Sequence, residues 1–281
     1  MKESCNISVL MAVHNGVEPL HLHEALESLH NQTLPPRQII LVEDGKLNNP
    51  LKRIIAKWRW VWRHRLTIVR NRKNRGLTAS LNRGLGQVRY PLIARMDSDD
   101  IAHPKRFERQ AQFLAQHPEV AILGGAIEEF DDSATRNTNT RHYPLSHEEA
   151  LRSIHRASPL AHPAVMMRRE VFRSGLRYNE RYRTSQDIAL WFDAICAGYR
   201  IANLRETVLY YRLDDSTFRR RTTRKAWGEL KIYCSGIRRL YGVISWRYIF
   251  PIGRFLSRLM PSGVIRRLYR SPIRKVVVEG R

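Results

Sequence analysis

Between residues 7 and 96 the chain alternates short, nearly continuous apolar runs with stretches of helical periodicity, and few folds accept that alternation. Four runs, "ISVLMAV" (7–13), "QIILV" (38–42), "LTIV" (66–69) and "YPLIARM" (90–96), lack the polar half of an exposed strand. They predict strands covered on both faces. Leu22, Leu26 and Leu29 recur at helical spacing within 20–32, just after Pro19, a residue suited to a first helical turn. A Trp-rich segment (51–62) and the segment 77–88 also read as helices. Strand and helix in alternation predict a parallel sheet with helices on both faces. Downstream come a helix over 105–117, a strand over 120–127 and a polar loop around "DDSATRNTNTR". A strand leading into a helix in "AHPAVMMRR" (161–169), an amphipathic helix over 185–199 and a last strand over 207–213 complete the pattern.

Ligands of such sheets bind beyond the carboxyl ends of the strands. Three polar clusters fall there: His14 and Asn15, Glu43 and Asp44, and the trio Asp97, Asp99 and Asp100 in "RMDSDD". Carboxylates packed that closely repel one another. A divalent ion with oxygen ligands, Mg²⁺ or Mn²⁺, offsets the repulsion and can bridge carboxylates to a substrate diphosphate. The competing reading is a solvated turn or a helix N-cap, since Asp100 precedes "IAHPKRFERQ". Position at the end of a buried strand favours the metal.

Glu43 and Asp44 follow the second strand, where an acid can accept from a base N–H or a ribose hydroxyl, although Asp-Gly is also an ordinary turn dipeptide. Asp187 opens the 185–199 helix. A helix N-terminus favours the ionised carboxylate, and first-turn aspartates are common. "GLGQVR" (84–89) lacks the third glycine of a dinucleotide fingerprint and follows no strand, and no Walker A sequence is present. This argues against hydride transfer and P-loop chemistry. Eleven histidines show no metal-ligand spacing, and His162 before Pro163 reads as a core or turn group. Ser, His and Asp form no triad.

The formal net charge is +23, and +15 of it lies from Arg219 onward, where seventeen Lys or Arg face only Glu229 and Glu279. The composition changes near Thr217, which divides the chain into a domain over 1–217 and a basic, aromatic-rich helical region over 218–281. Such basicity points to a polyanionic partner, nucleic acid or an anionic membrane face. If 243–260 is helical, Arg247, Arg254 and Arg258 share a face, with Ile249, Ile252, Leu256 and Leu259 broadly opposite. Trp246, Tyr248, Phe250 and Phe255 add interfacial aromatics, the signature of a helix lying in a membrane surface. Pro251 is expected to kink or split it. The alternative is a helix packed on the domain with its cationic side in water. No uninterrupted apolar run of about 18 residues occurs. "MKESCNISVL" runs into a strand without a signal-peptide core. Cys5, Cys196 and Cys234 fit neither a disulfide framework nor a zinc pattern, which suits a reducing cytoplasm.

Taken in order, "ISVLMAVHNG", "ESLHNQTLPPRQIILVEDG", "NRGLTASLNRGL", "IARMDSDDIAHPKRFERQ", "HPAVMMRREVFRSGL" and "SQDIALWFDAICAGYRIANL" resemble the inverting family 2 glycosyltransferases of bacteria. The likeness is strongest to the branch that builds exopolysaccharide, capsule and O-antigen, and it covers roughly 7–213. It implies an α/β GT-A fold, a mixed, Rossmann-like sheet flanked by helices, with a basic helical tail. It also implies roles. Asp97 and Asp99 match the D-x-D that contacts the sugar nucleotide and its divalent metal, Mn²⁺ or Mg²⁺, and Asp100 shares the ligation. Asp44, with Glu43 beside it, matches the acid that recognises base or ribose, and Asp187 matches the catalytic base.

Glu43 and Lys46 stand in a segment often written D-D-G-S, Gln186 replaces the Glu before the base, and His14 stands where Tyr is frequent. These departures leave the donor nucleotide and sugar open. The implied partners are a nucleoside-diphosphate sugar, a saccharide acceptor on polyprenyl diphosphate and an anionic membrane surface, without nucleic acid. The implied location is the cytoplasm, peripheral at the inner face of the cytoplasmic membrane. Nucleotidyl transfer on a similar sheet, or nucleic-acid binding through the basic tail, are the alternatives.

Overall fold

A computed structural model describes residues 6–130, 139–213 and 223–259. Its first half alternates β1 (Ile7–Val13), α1 (Pro19–His30), β2 (Gln38–Asp44), α2 (Asn49–Trp62), β3 (Leu66–Asn71), α3 (Leu77–Leu85) and β4 (Leu92–Arg95). Then come β5 (Ile101–Ala102), α4 (Arg106–Gln116), β6 (Val120–Phe130), β7 (Asn139–Arg141), α5 (His147–Ser153), β8 (Met166–Arg168), α6 (Glu170–Arg173), α7 (Gln186–Cys196) and β9 (Arg200–Arg212). Two helices follow, α8 (Thr223–Tyr241) and α9 (Ile249–Leu259).

The strands form one sheet in the order β3-β2-β1-β4-β8-β6-β9-β5, with β7 on the margin of β6. The strands β1 to β4 are mutually parallel, as the alternation predicts. Beyond β4 the sheet is mixed. Strand β8 enters antiparallel between β4 and β6, and β5 and β7 are antiparallel to β9 and β6. The parallel half read from the alternation is thus completed by a mixed half, the mixed sheet that the family resemblance implies. Helix α5 and the short turn His162–Ala164 lead the chain into β8, which runs antiparallel to both its neighbours.

The apolar runs divide by strand alternation. Val9, Met11, Ile39 and Leu41 face one layer with Leu22 and Leu26 of α1 and Ile55 and Trp58 of α2. Leu10, Ile40 and Val42 face the other, with Leu81 of α3 and Trp191 and Phe192 of α7. Burial on both sides is why polar residues are few in β1 and β2, and the exceptions are paired, Ser8 Oγ donating to Gln38 Oε1 at 2.7 Å. Helix α3 lies so close to the sheet that a Cβ on Gly84 would stand 2.4 Å from Leu10 Cδ1, so this glycine serves packing. Strand β9 begins seven residues earlier than expected. Arg205 and Glu206 bulge out of register opposite Gly125 and Ala126, and their charge conceals the strand.

The expected boundary at Thr217 lies outside the described residues. Helix α8 joins the main core through Ile232 and Tyr233. Tyr233 meets the Phe192 ring edge-on at 5.8 Å, and Arg239 pairs with Asp193 at 2.7 Å. Pro251 neither kinks nor splits a longer helix. Helix α9 starts at Ile249, so Pro251 sits in the first turn, where a missing N–H costs little.

Candidate active site

The polar clusters after β1, β2 and β4 reach a common cleft of about 540 Å³ at the carboxyl ends of these strands. His14, Asp44, Asp97, Asp99 and Asp100 line it, together with Gln186 at the start of α7 and Tyr211 and Arg212 at the end of β9. His14 turns its Nδ1 back to accept from the backbone N–H of Gly16 at 2.9 Å.

Asp44 organises the loop after β3. Its Oδ1 accepts from Asn71 Nδ2 at 2.9 Å and from the Arg75 N–H at 2.8 Å, and its Oδ2 accepts from the Gly76 N–H at 2.9 Å. Burial pushes this carboxyl up. The hydrogen bonds from Arg75, Asn71, Ser80 and Gly76 outweigh burial and hold it below the ordinary carboxylate range. Strand alternation sends Glu43 elsewhere. It pairs with Arg70 Nε on β3 at 3.0 Å and does not line the cleft.

Asp97, Asp99 and Asp100 each offer a carboxylate oxygen, and these atoms lie within 4.8 Å of one another. The chain itself supplies the first countercharge. Arg95, 1% exposed, donates Nη1 to Asp97 Oδ2 at 2.8 Å and Nη2 to Asp97 Oδ1 at 2.5 Å. Asp100 accepts from the Arg212 backbone N–H at 3.0 Å, while its buried Oδ2 has no partner. Burial, then the charges of Asp97 and Asp99, push Asp100 well above the usual range. Burial and Asp97 also raise Asp99. Three clustered hard oxygen donors, one of them buried and orphaned, fit a divalent ion such as Mn²⁺ or Mg²⁺. The same carboxylates lie behind the upward shift of Tyr211, which burial and then Asp100, Asp97 and Asp99 push to about 12.

Behind the cluster stand two more arginines. Arg106, wholly buried, donates Nη2 to the Arg95 carbonyl at 2.8 Å and Nε to Gln110 at 3.2 Å. Burial lowers it to about 9, against the pull of Asp100. Arg212 donates Nε to the Asp99 carbonyl at 2.8 Å and pairs with Glu24 at 2.5 Å. Sequence reasoning missed all three. Arg95 carries a signal, an arginine ending an apolar strand, which can be buried only with a partner. Arg106 carries none, because its pattern is that of a solvated first helical turn.

Asp187 sits in the first turn of α7, next to the lining residue Gln186. The helix is entered through Ser185 at φ 58° and ψ 24°, a left-handed conformation that non-glycine residues adopt at a cost and often near functional groups. The helix terminus alone predicts a stabilised anion, but the net shift is upward. Burial raises Asp187 and outweighs the Ile188 N–H and the charge of Arg95, while Asp97 adds to the rise. Gln186 is 7% exposed, and its Oε1 has no partner. His162 is a satisfied core group, Nε2 lying 2.9 Å from the Tyr178 hydroxyl.

A parallel β-α-β half that carries an acidic turn after its fourth strand, completed by a mixed half, is the GT-A architecture of nucleotide-diphospho-sugar transferases. A mannosyltransferase from Pyrobaculum calidifontis, solved with GDP-Man and Mn²⁺, shares this fold at a TM-score of 0.66 and 15% identity, covering 99% of this chain and 80% of that one. Residues 1–349 of S. aureus TarS, solved with UDP, align at 0.60 and 18% identity, covering 97% and 86%. The chain belongs to Glycosyl transferase family 2, whose sequence profile matches residues 8–176, and it is a glycosyltransferase. The amylovoran biosynthesis glycosyltransferase AmsE of Erwinia amylovora is 33% identical over 264 residues, 93% of this chain and 97% of that protein. The Escherichia coli UDP-Gal:alpha-D-GlcNAc-diphosphoundecaprenol beta-1,3-galactosyltransferase is 32% identical over 279 residues, 95% and 96%. Among the described residues no helix is long and apolar enough to cross a membrane.

Proposed function

We propose that this chain moves a sugar, with inversion, from a nucleoside diphosphate to a hydroxyl of a lipid-linked saccharide during cell-surface polysaccharide synthesis. It would work as a peripheral protein at the inner face of the cytoplasmic membrane. The observation that carries the reading is the meeting of the 97–100 carboxylates with the start of α7 around one cleft. In a single displacement the acceptor oxygen bonds to the anomeric carbon as the bond from that carbon to the diphosphate oxygen breaks. Asp187 takes the hydroxyl proton, and a carboxyl raised above its usual range is a stronger base for that task.

Asp99 and Asp100, with Asp97 beside them, would hold the divalent ion, which supplies charge neutralisation on the departing diphosphate. The leaving group then needs no protonating acid of the kind a glycosidase uses. Arg95 fixes the rotamer of Asp97, and Asp44 orders the loop on the nucleotide side, where base or ribose would be read. A lipid-linked acceptor is supported by the name of the Escherichia coli relative.

The test supplies UDP-, GDP- and dTDP-sugars with a polyprenyl-diphosphate saccharide and reads released nucleoside diphosphate and product anomer. One donor should turn over with inverted configuration. Pyrophosphate released from a nucleoside triphosphate instead would replace this reading with nucleotidyl transfer.

A further inference from the structure

The last described helix is turned inside out for a protein in water. Its arginines face the domain: Arg254 Nη1 and Arg258 Nη1 both reach Glu229 on α8, at 2.8 and 2.6 Å. Arg254 also lies over the Tyr233 ring at 5.0 Å and donates to the Arg156 carbonyl. Just before the helix, Arg247 stacks over Tyr241 at 4.1 Å. Glu229 is the sole acid between Asp215 and Glu279, and it is committed to this clamp.

The opposite side of α9 is apolar and exposed. Ile249 (67%), Ile252 (44%) and Leu256 (51%) form a stripe one helical face wide, continued by Trp246 (61%) and Ile244 (97%). Of the nine large apolar side chains exposed among the described residues, six fall between 243 and 256. A contiguous apolar patch of that kind marks an interaction surface.

We propose that this stripe inserts into the interface of an anionic bilayer, with Ile244, Trp246, Ile249, Ile252 and Leu256 entering the lipid. The arginines stay clamped to Glu229 on the protein side. Charge argues for lipid over a second copy of the chain. A net +23 opposes self-association across a face with no acid to spare, and the 22 residues after Leu259 bring six more Lys or Arg against Glu279. Exposed Lys231 and Arg238 on α8 add cations that anionic headgroups attract. The proposal rests on the reading above for its purpose, bringing the cleft to a membrane-borne acceptor. Its geometry stands apart from that reading.

The test uses the full chain and the variant Ile249→Ser/Ile252→Ser/Leu256→Ser, which changes exposed side chains and no charge. Wild type should sediment with vesicles of phosphatidylglycerol and phosphatidylcholine in equal parts, and keep part of that binding at high salt. The variant should bind more than about tenfold less well, with an unchanged melting temperature. Unchanged vesicle binding by the variant overturns the proposal. So does an oligomer in wild type that the variant converts to monomer without change in vesicle binding, because the stripe is then a protein interface. Donor hydrolysis in detergent-free buffer, read in parallel, separates the two readings. Vesicle binding that depends on the stripe supports the surface even if no sugar nucleotide turns over, an outcome that would count against glycosyl transfer alone.

Discussion

Arg95 grips both oxygens of Asp97 through its two terminal nitrogens, at 2.8 and 2.5 Å, from a position with 1% exposure. The carboxylate it holds is one-third exposed and lines the cleft, so the pair links the buried end of β4 to the cleft wall. Breaking a buried pair by removing one member typically costs about 3–5 kcal/mol. Asp97 can recover some water, so Arg95→Met should destabilise by about 3 kcal/mol in urea titration, the low end of that range. Arg95→Lys keeps the charge but loses the fork, and should lose less. Wild-type stability in Arg95→Met would show that the pair does not hold the turn.

Asp187→Asn should separate stability from turnover. A carboxyl raised in the fold binds its proton more tightly there, so its contribution to stability is present at low pH and lost as pH rises through the raised value. At pH 8 the Asn variant should therefore melt at or above the wild-type temperature. Its turnover should fall by about 10²–10⁴, the usual worth of a general base. With saturating Mn²⁺, wild-type kcat should decline as pH drops through a value above the ordinary carboxylate range, and the variant should lack that limb. A variant with full turnover would remove Asp187 from the proton transfer.

The acidic turn should make stability depend on metal and pH together. Asp99 and Asp100 are both raised, chiefly by burial, so crowding them as anions costs folding energy that grows as pH rises. In EDTA the contribution of these groups favours pH 5 over pH 8. Mn²⁺ or Mg²⁺ should raise the melting temperature more at pH 8, where the ligands need not release protons. At a hundredfold excess over Kd the gain is about 2.7 kcal/mol. Activity should vanish in EDTA and return with either ion. A melting curve indifferent to both ions at pH 8 would leave the cluster without its metal.

How much of this was legible beforehand varies by element. Strands β1, β2 and β4 were, because burial on both faces leaves an apolar run no loop would carry. Strand β3, a half-buried edge strand, was legible from its β-branched Thr67, Ile68 and Val69. The acids at their carboxyl ends were legible for the same reason, since nothing in strand formation asks for Asp97, Asp99 or Asp100. The first half of β9 was hidden by the bulged Arg205 and Glu206. The antiparallel insertion of β8 was invisible to local pattern, which cannot report which strands pair. Amphipathic spacing correctly grouped Arg254 with Arg258 but could not tell which side of the helix faces in. That depends on Glu229, a partner 25 and 29 residues away. Arg106 was missed because an arginine in a first helical turn reads as solvated until its buried acceptor is seen, whereas Arg95, ending an apolar strand, carried a signal that went unread.

Asp44 offers the clearest test of whether a cleft acid serves structure, ligand or both. Its carboxylate accepts from three donors, the Arg75 and Gly76 backbone N–H groups and Asn71 Nδ2. Of these, Asn71 Nδ2 also reaches Ser80 Oγ at 2.9 Å, so the two backbone groups lose most if the carboxylate is removed. Asp44→Ala should cost about 2–3 kcal/mol, as expected for losing hydrogen bonds to a charged group at a buried position. The shift is downward, so the stabilising contribution is present above the unfolded carboxyl value and is lost as pH falls through the lower folded one. The stability gap between wild type and Asp44→Ala should accordingly be full at pH 7 and shrink below about pH 4. Asp44→Asn keeps one acceptor oxygen and sets an amide N–H against a backbone N–H, so it should fall between the two. If Asp44 also meets the nucleotide, Asp44→Asn will weaken donor binding in calorimetry more than it lowers kcat. Equal donor affinity in wild type and Asp44→Asn would confine the residue to holding the loop.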